Sequence, residues 1–161
     1  MSYNIRRARI SDINAVLAIE QASFADPWSV SMITDDILDT ELGIRTYVLT
    51  VDGNTAGYYF YYPLSCDLAN LAVSPLYRGK GYGRILVDHC IAEARKDGSR
   101  ELFLEVRESN TAARRLYRSF GFEIIGKRKD YYDHPSEDGL VMLLRIDNGT
   151  ANEDFSHRNK L

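Results

Sequence analysis

An apolar run, Leu68-Ala69-Asn70-Leu71-Ala72-Val73, leads to Arg78-Gly79-Lys80-Gly81-Tyr82-Gly83 and on into Arg84-Ile85-Leu86-Val87. The order reads as strand, glycine-rich turn, helix. A turn so poor in side chains exposes consecutive backbone N–H groups, and the helix that follows adds the partial positive charge of its N-terminus. Such a junction suits a pyrophosphate. Two familiar phosphate loops do not fit it. A Walker loop needs Lys followed by Ser or Thr, and neither hydroxyl is present; the dinucleotide fingerprint needs G-x-G-x-x-G in the first strand–helix unit. What remains is R-x-x-G-x-G, carried by Arg78, Gly81 and Gly83.

Working outward, Asn4 to Ala8 reads as a first strand, and Ser11-Asp12 as the N-cap of a helix bearing Ile13, Val16 and Leu17 on one face. Phe24-Ala25-Asp26-Pro27-Trp28-Ser29 interrupts this pattern, and Ser29 caps a second helix through Val30, Ile33 and Ile37. Thr46–Val51 and Ala56–Tyr62 are strands joined at Asp52-Gly53-Asn54, a hairpin signal. Asp67–Val73 is the strand that enters the glycine loop. The helix beyond the loop carries Leu86, Val87, Cys90, Ile91 and Ala94 on one face and ends at Asp97-Gly98. Glu101–Val106 is a compact strand, Asn110 caps a helix with the stripe Ala112, Ala113, Leu116, Tyr117 and Phe120, and Gly121 stops it. Phe122–Gly126 and Leu140–Ile146 complete the strands. Residues 1–147 are expected to be one domain, and 148–161, polar and rich in charge, a disordered tail.

Composition narrows the function classes. The chain has 161 residues, 45% of them hydrophobic and 27% charged, with eleven tyrosines as its one excess. A formal charge of −3 gives no reason to expect nucleic acid held by counterion release. No apolar run is long enough to cross a bilayer and the start lacks a signal core, so a cytoplasmic protein without membrane association is expected. On that view the sequon Asn148-Gly149-Thr150 is chance. Cys66, in a strand, and Cys90, in a helix, lack metal or redox spacing and are expected to be buried thiols. His89, His134 and His157 are scattered and assigned to surface or tail, and no metal is expected.

Two further segments accompany the glycine loop. Leu104-Glu105-Val106-Arg107-Glu108-Ser109-Asn110-Thr111-Ala112-Ala113 is followed by Leu116-Tyr117-Arg118-Ser119-Phe120-Gly121-Phe122. Together the three resemble the GNAT superfamily of N-acetyltransferases. Asp26-Pro27-Trp28-Ser29 and Tyr131-Tyr132 are similar to the RimI-type protein N-terminal acetyltransferases within it. The resemblance spans Ile5 to Ile146. It implies an α/β (α+β) fold: a mixed, mostly antiparallel twisted sheet of about seven strands, flanked by about four helices and splayed between the fourth and fifth strands.

The resemblance also implies acetyl-CoA as cosubstrate. Leu71, Ala72 and Val73 would meet its pantetheine and acetyl groups through the backbone. Arg78, Gly79, Lys80, Gly81, Tyr82, Gly83 and Arg84 would surround its pyrophosphate, and Asn110 would reach it from across the splay. Lys80 and Arg84 read equally well as solvated charges. Glu105 resembles the family's general base and Tyr117 its general acid. The competing readings are a Glu105–Arg107 ion pair, since positions 105 and 107 share a strand face, and an ordinary core tyrosine. Asp67 is a second candidate base.

Phe24, Pro27 and Trp28 are expected as one wall of a peptide groove, and Tyr131 and Tyr132 as the other. The implied substrate is a protein or peptide N-terminus, in the RimI type the alanine of a ribosomal protein. The implied assembly is a monomer or weak homodimer. Acetylation of a small amine such as a polyamine or an antibiotic, or a non-catalytic CoA-binding module, are the alternatives.

Overall fold

The computed structural model describes residues 2–147. The expected tail, the sequon at Asn148 and His157 lie outside the described residues. Within them the chain forms strands β1 (Tyr3–Arg7), β2 (Arg45–Val51), β3 (Asn54–Tyr62), β4 (Asp67–Val73), β5 (Glu101–Arg107), β6 (Glu123–Tyr132) and β7 (Glu137–Arg145). The helices are α1 (Ile13–Ser23), α2 (Val30–Ile37), α3 (Tyr82–Lys96) and α4 (Thr111–Ser119). The seven strands make one sheet in the order β1-β2-β3-β4-β5-β7-β6, antiparallel throughout except at β4–β5. The expected class, strand number and helix number all hold.

The residue pattern explains why the sheet is covered on both faces. In β3, Tyr58, Tyr59, Phe60 and Tyr61 are all fully buried, which is the signature of a strand with a core on each side. Because side chains alternate, Tyr59 and Tyr61 pack with Leu86, Val87, Cys90 and Ala94 of α3, in a core that also holds Tyr117 of α4. Tyr58 and Phe60 pack on the opposite face with Val16 and Ile19 of α1 and Ile33 of α2. Asp52 and Gly53, both at positive φ, form a two-residue hairpin turn between β2 and β3.

Ser29 and Asn110 cap their helices as expected, accepting from the N–H groups of Met32 at 3.2 Å and Ala113 at 3.2 Å. The Ser11-Asp12 cap is corrected. A 3-10 turn over Ile10–Asp12 precedes α1, and no side chain caps α1 itself. The Asp12 carboxylate turns back to β1, where Arg6 donates to both of its oxygens at 2.7 and 2.9 Å and the Arg9 N–H donates at 2.7 Å. Bidentate charge-assisted bonds outweigh a single bond to a helix N–H.

Three further expectations change. β6 runs to Tyr132 instead of Gly126, because as an edge strand it needs only one paired side and tolerates the charged run Lys127–Asp130. Cys66 sits half-buried at positive φ in the β3–β4 turn, while Cys90 is fully buried. His89 is half-buried against the Tyr47 ring, its Nδ1 2.8 Å from the Tyr59 hydroxyl, and burial lowers its pKa.

The Arg6 hydrogen bonds hold the Asp12 carboxyl below the usual range, so its contribution to stability is complete above about pH 4 and is lost as pH falls through the lowered value. Asp12→Asn is expected to cost about 1.5–3 kcal/mol at pH 7. In urea titrations the gap between variant and parent should narrow below about pH 4.

Candidate active site

β4 and β5 run parallel and meet at one residue pair, Asp67 with Phe103, where the Phe103 N–H donates 2.8 Å to the Cys66 carbonyl. Beyond it the strands part toward Val73 and Arg107. The result is a cavity of about 1130 Å³ that reaches through the sheet. Along its β4 side, Leu71, Ala72 and Val73 pair with β3 on one edge only, which leaves extended backbone facing the gap.

At the wide end, Gly79 and Gly81 adopt positive φ values of 74° and 86°, and Gly81 precedes α3 with no side chain capping the helix. The first N–H groups of α3 have no intrahelical acceptor and open onto the cavity with Arg78, Gly79, Gly81, Tyr82 and Gly83. This is a cradle for an anionic diphosphate. The Arg78 side chain folds back, with Nε 2.9 Å from the Val73 carbonyl and a terminal nitrogen 3.0 Å from the Ser23 hydroxyl.

Lys80 and Arg84 do not line the cavity, nor are they freely solvated. The Lys80 ammonium lies 5.6 Å over the Tyr77 ring; the Arg84 guanidinium lies 4.8 Å over Phe120 and donates to Ser119 Oγ at 2.6 Å. Asn110 lines the far wall while its Oδ1 caps α4.

Glu105 and Tyr117 enter the gap from opposite faces of the sheet. Leu104 and Val106 of β5 belong to the α3–α4 core, so alternation sends Glu105 to the other face. Tyr117 rises from α4 within that same core and reaches the cavity edge. Burial raises the Tyr117 phenol above its ordinary value, so it stays protonated well beyond neutral pH.

Glu105 does not pair with Arg107. Arg107 turns to the β6–β7 loop, donating to the carbonyls of Asp133 and Pro135 at 2.8 and 3.1 Å and lying 3.3 Å from Glu137. Its guanidinium also covers the Tyr132 ring at 4.5 Å. The partner of Glu105 is Arg128 of β6, with Nε 3.1 Å from Oε1. The nearby Glu105 carboxylate also raises the Tyr131 phenol, with burial second.

The Asp67 carboxyl is pushed up by burial, with repulsion from Glu105 adding to the shift, but it sits at the closed end of the splay. The structure brings the five expected wall residues to the same cavity. Phe24, Pro27 and Trp28 line one side, with Trp28 tilted on Phe60 at 5.0 Å, and Tyr131 and Tyr132 line the other in an edge-to-face pair at 4.9 Å. Among the described residues no group of three or more His, Cys, Asp or Glu is placed to hold a metal ion, and no helix is long and apolar enough to cross a membrane.

The profile of the Acetyltransferase (GNAT) family matches residues 13–122. The chain belongs to the GNAT family. The [Ribosomal protein bS18]-alanine N-acetyltransferase of Escherichia coli (strain K12) is 36% identical to it over 140 residues, covering 84% of this chain and 93% of the relative. The crystal structure of the ribosomal-protein-S18-alanine N-acetyltransferase from Escherichia coli superposes with a TM-score of 0.83 at 34% identity, covering 94% and 98% of the two chains. The yncA protein of Salmonella typhimurium, solved with its cofactor acetyl-CoA, shares the fold at a TM-score of 0.77 and 22% identity, covering 96% and 99%.

Three residues in or beside this GNAT cleft escaped the sequence reading. Arg128 lies in a charged run whose strand was not anticipated. Glu20 and Asn70 sit in patterns that look like helix surface and strand filler, yet Glu20 is 1% exposed and takes a 2.9 Å hydrogen bond from Asn70. Only polar residues at otherwise apolar positions hinted at them.

Nothing lies within 4 Å of where a Cβ at Gly81 would fall, so Gly81→Ala meets no clash and is opposed by backbone conformation alone. The GNAT loop should lose about 1–2 kcal/mol of stability through that substitution, measured by urea denaturation.

Proposed function

We propose that this GNAT protein transfers an acetyl group from acetyl-CoA to the N-terminal α-amino group of a protein. By its likeness to the Escherichia coli relative, we take the acceptor to be of the ribosomal-protein-alanine kind, met in the cytoplasm. The observation that carries this reading is that Glu105 and Tyr117 face one through-sheet gap from opposite sides, with a phosphate cradle at its wide end and Phe24, Pro27, Trp28, Tyr131 and Tyr132 along its walls. Acetyl-CoA supplies the activated acyl group. The chain's own residues bind, orient and move protons.

The uncapped N-terminus of α3 and the Gly79–Gly83 backbone hold the diphosphate, with Arg78 beside it. The free edge of Leu71–Val73 offers main-chain partners to an extended amide chain and N–H donors where negative charge develops on the acyl oxygen. A peptide α-amino group has a pKa of about 7.7–8.0, so only modest help is needed to deprotonate it. Glu105 accepts that proton, directly or through water, as the cationic amine displaces Arg128 from its carboxylate. Tyr117, held protonated by burial, returns a proton to the leaving thiolate.

Exposed Tyr131, half-buried Tyr132 and the loop of Phe24, Pro27 and Trp28 form an open groove, which suits a peptide better than a small polyamine. Assaying the intact chain with acetyl-CoA against peptides with a free N-terminal alanine, and against spermidine, tests this. Peptide acetylation is expected; activity on the polyamine alone would overturn the reading.

Tyr117→Phe should lower turnover at least tenfold while acetyl-CoA still binds by calorimetry, and unchanged turnover would remove Tyr117 from the reaction. Glu105→Gln should lose most activity at low pH and recover as pH rises past the amine's own pKa, because a neutral amine no longer needs a base. A pH–rate profile of unchanged shape would transfer the role to Asp67 or solvent.

A further inference from the structure

The acceptor wall is held by a carboxylate that the chemistry above leaves unused. Glu20, in the last turn of α1, is 1% exposed, and its hydrogen-bond partners among the described residues are three neutral donors. A carboxylate buried among neutral donors is costly relative to an apolar side chain of similar size, so the fold alone gives no reason for it.

Each donor belongs to a different element. Oε1 accepts from the Trp28 N–H at 2.9 Å, in the loop between α1 and α2. Oε2 accepts from Asn70 Nδ2 of β4 at 2.9 Å and from the Tyr58 hydroxyl of β3. Asn70 stands next to the register shift between β3 and β4 and one residue before Leu71. One carboxylate therefore joins the loop carrying Phe24, Pro27 and Trp28 to the strand that faces the acyl group. Both Glu20 oxygens are engaged by these donors.

We propose that Glu20 is a positioning residue for the acceptor: it fixes the aromatic wall relative to the Leu71 backbone, and so fixes where the incoming amine stands against the acetyl group. This rests on the N-terminal acetyltransferase reading. A role of its negative charge in attracting the amine is the rival, and a neutral isostere separates the two. Glutamine keeps a carbonyl for the Trp28 N–H, while the Asn70 amide and the Tyr58 hydroxyl both have the freedom to turn and accept.

Trp28 is the only tryptophan in the chain, so its fluorescence reports the tether without any turnover. In Glu20→Ala, the acrylamide quenching constant of Trp28 is expected to at least double. The KM for an alanine-terminated peptide should rise at least tenfold while the Kd for acetyl-CoA stays within twofold. Glu20→Gln should bring the peptide KM back to within threefold of the parent, and Asn70→Ala should raise it at least threefold.

Unchanged quenching or peptide KM in Glu20→Ala, or equal losses for peptide and acetyl-CoA, would overturn the proposal. So would a Glu20→Gln variant as impaired as Glu20→Ala. Should Glu20→Ala fail to fold, Asn70→Ala and Tyr58→Phe carry the same test, and an unchanged peptide KM in both overturns it. A parent chain that acetylates no peptide would sink the functional reading, whereas the Trp28 quenching would still report on the tether.

Discussion

The parting of β4 from β5 is the constraint on which the rest depends. Every other neighbouring pair of strands is antiparallel and shares several paired residues, but these two share only Asp67 with Phe103. The crossover between them is α3, so the helix N-terminus rises where the strands diverge, and the glycine loop must turn sharply to enter it. A gap in a continuous sheet would expose unpaired main-chain groups to no purpose in a purely structural protein. Here the same groups supply donors and acceptors along one edge of β4, and the gap is reached by one polar side chain from each face of the sheet, Glu105 and Tyr117.

The electrostatics follow from that geometry. Tyr117 comes from the side packed under α3 and α4, where burial keeps its proton in place. Glu105 comes from the opposite side, where Arg128 of β6 pairs with Oε1. Arg107, its neighbour on the same strand face, is withdrawn by the carbonyls of Asp133 and Pro135. The two arginines thus divide the work: one shapes the loop that follows Tyr132, and the other shares the carboxylate.

Much of this was legible in the sequence, for reasons that differ by segment. Arg78–Gly83 announces itself because glycine is the residue that takes the positive φ of Gly79 and Gly81 at least cost. Ser29, Asn110 and the Asp52-Gly53 hairpin are local signals read out locally. Asp12 misled because its partner, Arg6, is a strand residue six positions back, and a bidentate ion pair won over the helix cap. The competing reading of Glu105 as an ion-paired strand carboxylate named Arg107, but register shifts in β6, rather than alternation along β5, bring Arg128 to it instead. Glu20 was invisible because its three donors arrive from segments 8, 38 and 50 residues away, and a lone glutamate on a helix reads as surface.

The five consecutive aromatics of β3, Tyr58–Tyr62, carry one more implication. Tyr58, Tyr59 and Tyr61 each end in a hydroxyl with a specific destination, Glu20, His89 and Ser99 respectively, and Phe60, which has none, lies against Trp28. A slip of one position would exchange the two layers, bringing one phenol to the Phe60 site, which lacks a polar partner, and the bare ring to a site that supplies one. The strand thus proofreads its own alignment chemically, which apolar residues of equal bulk would not do.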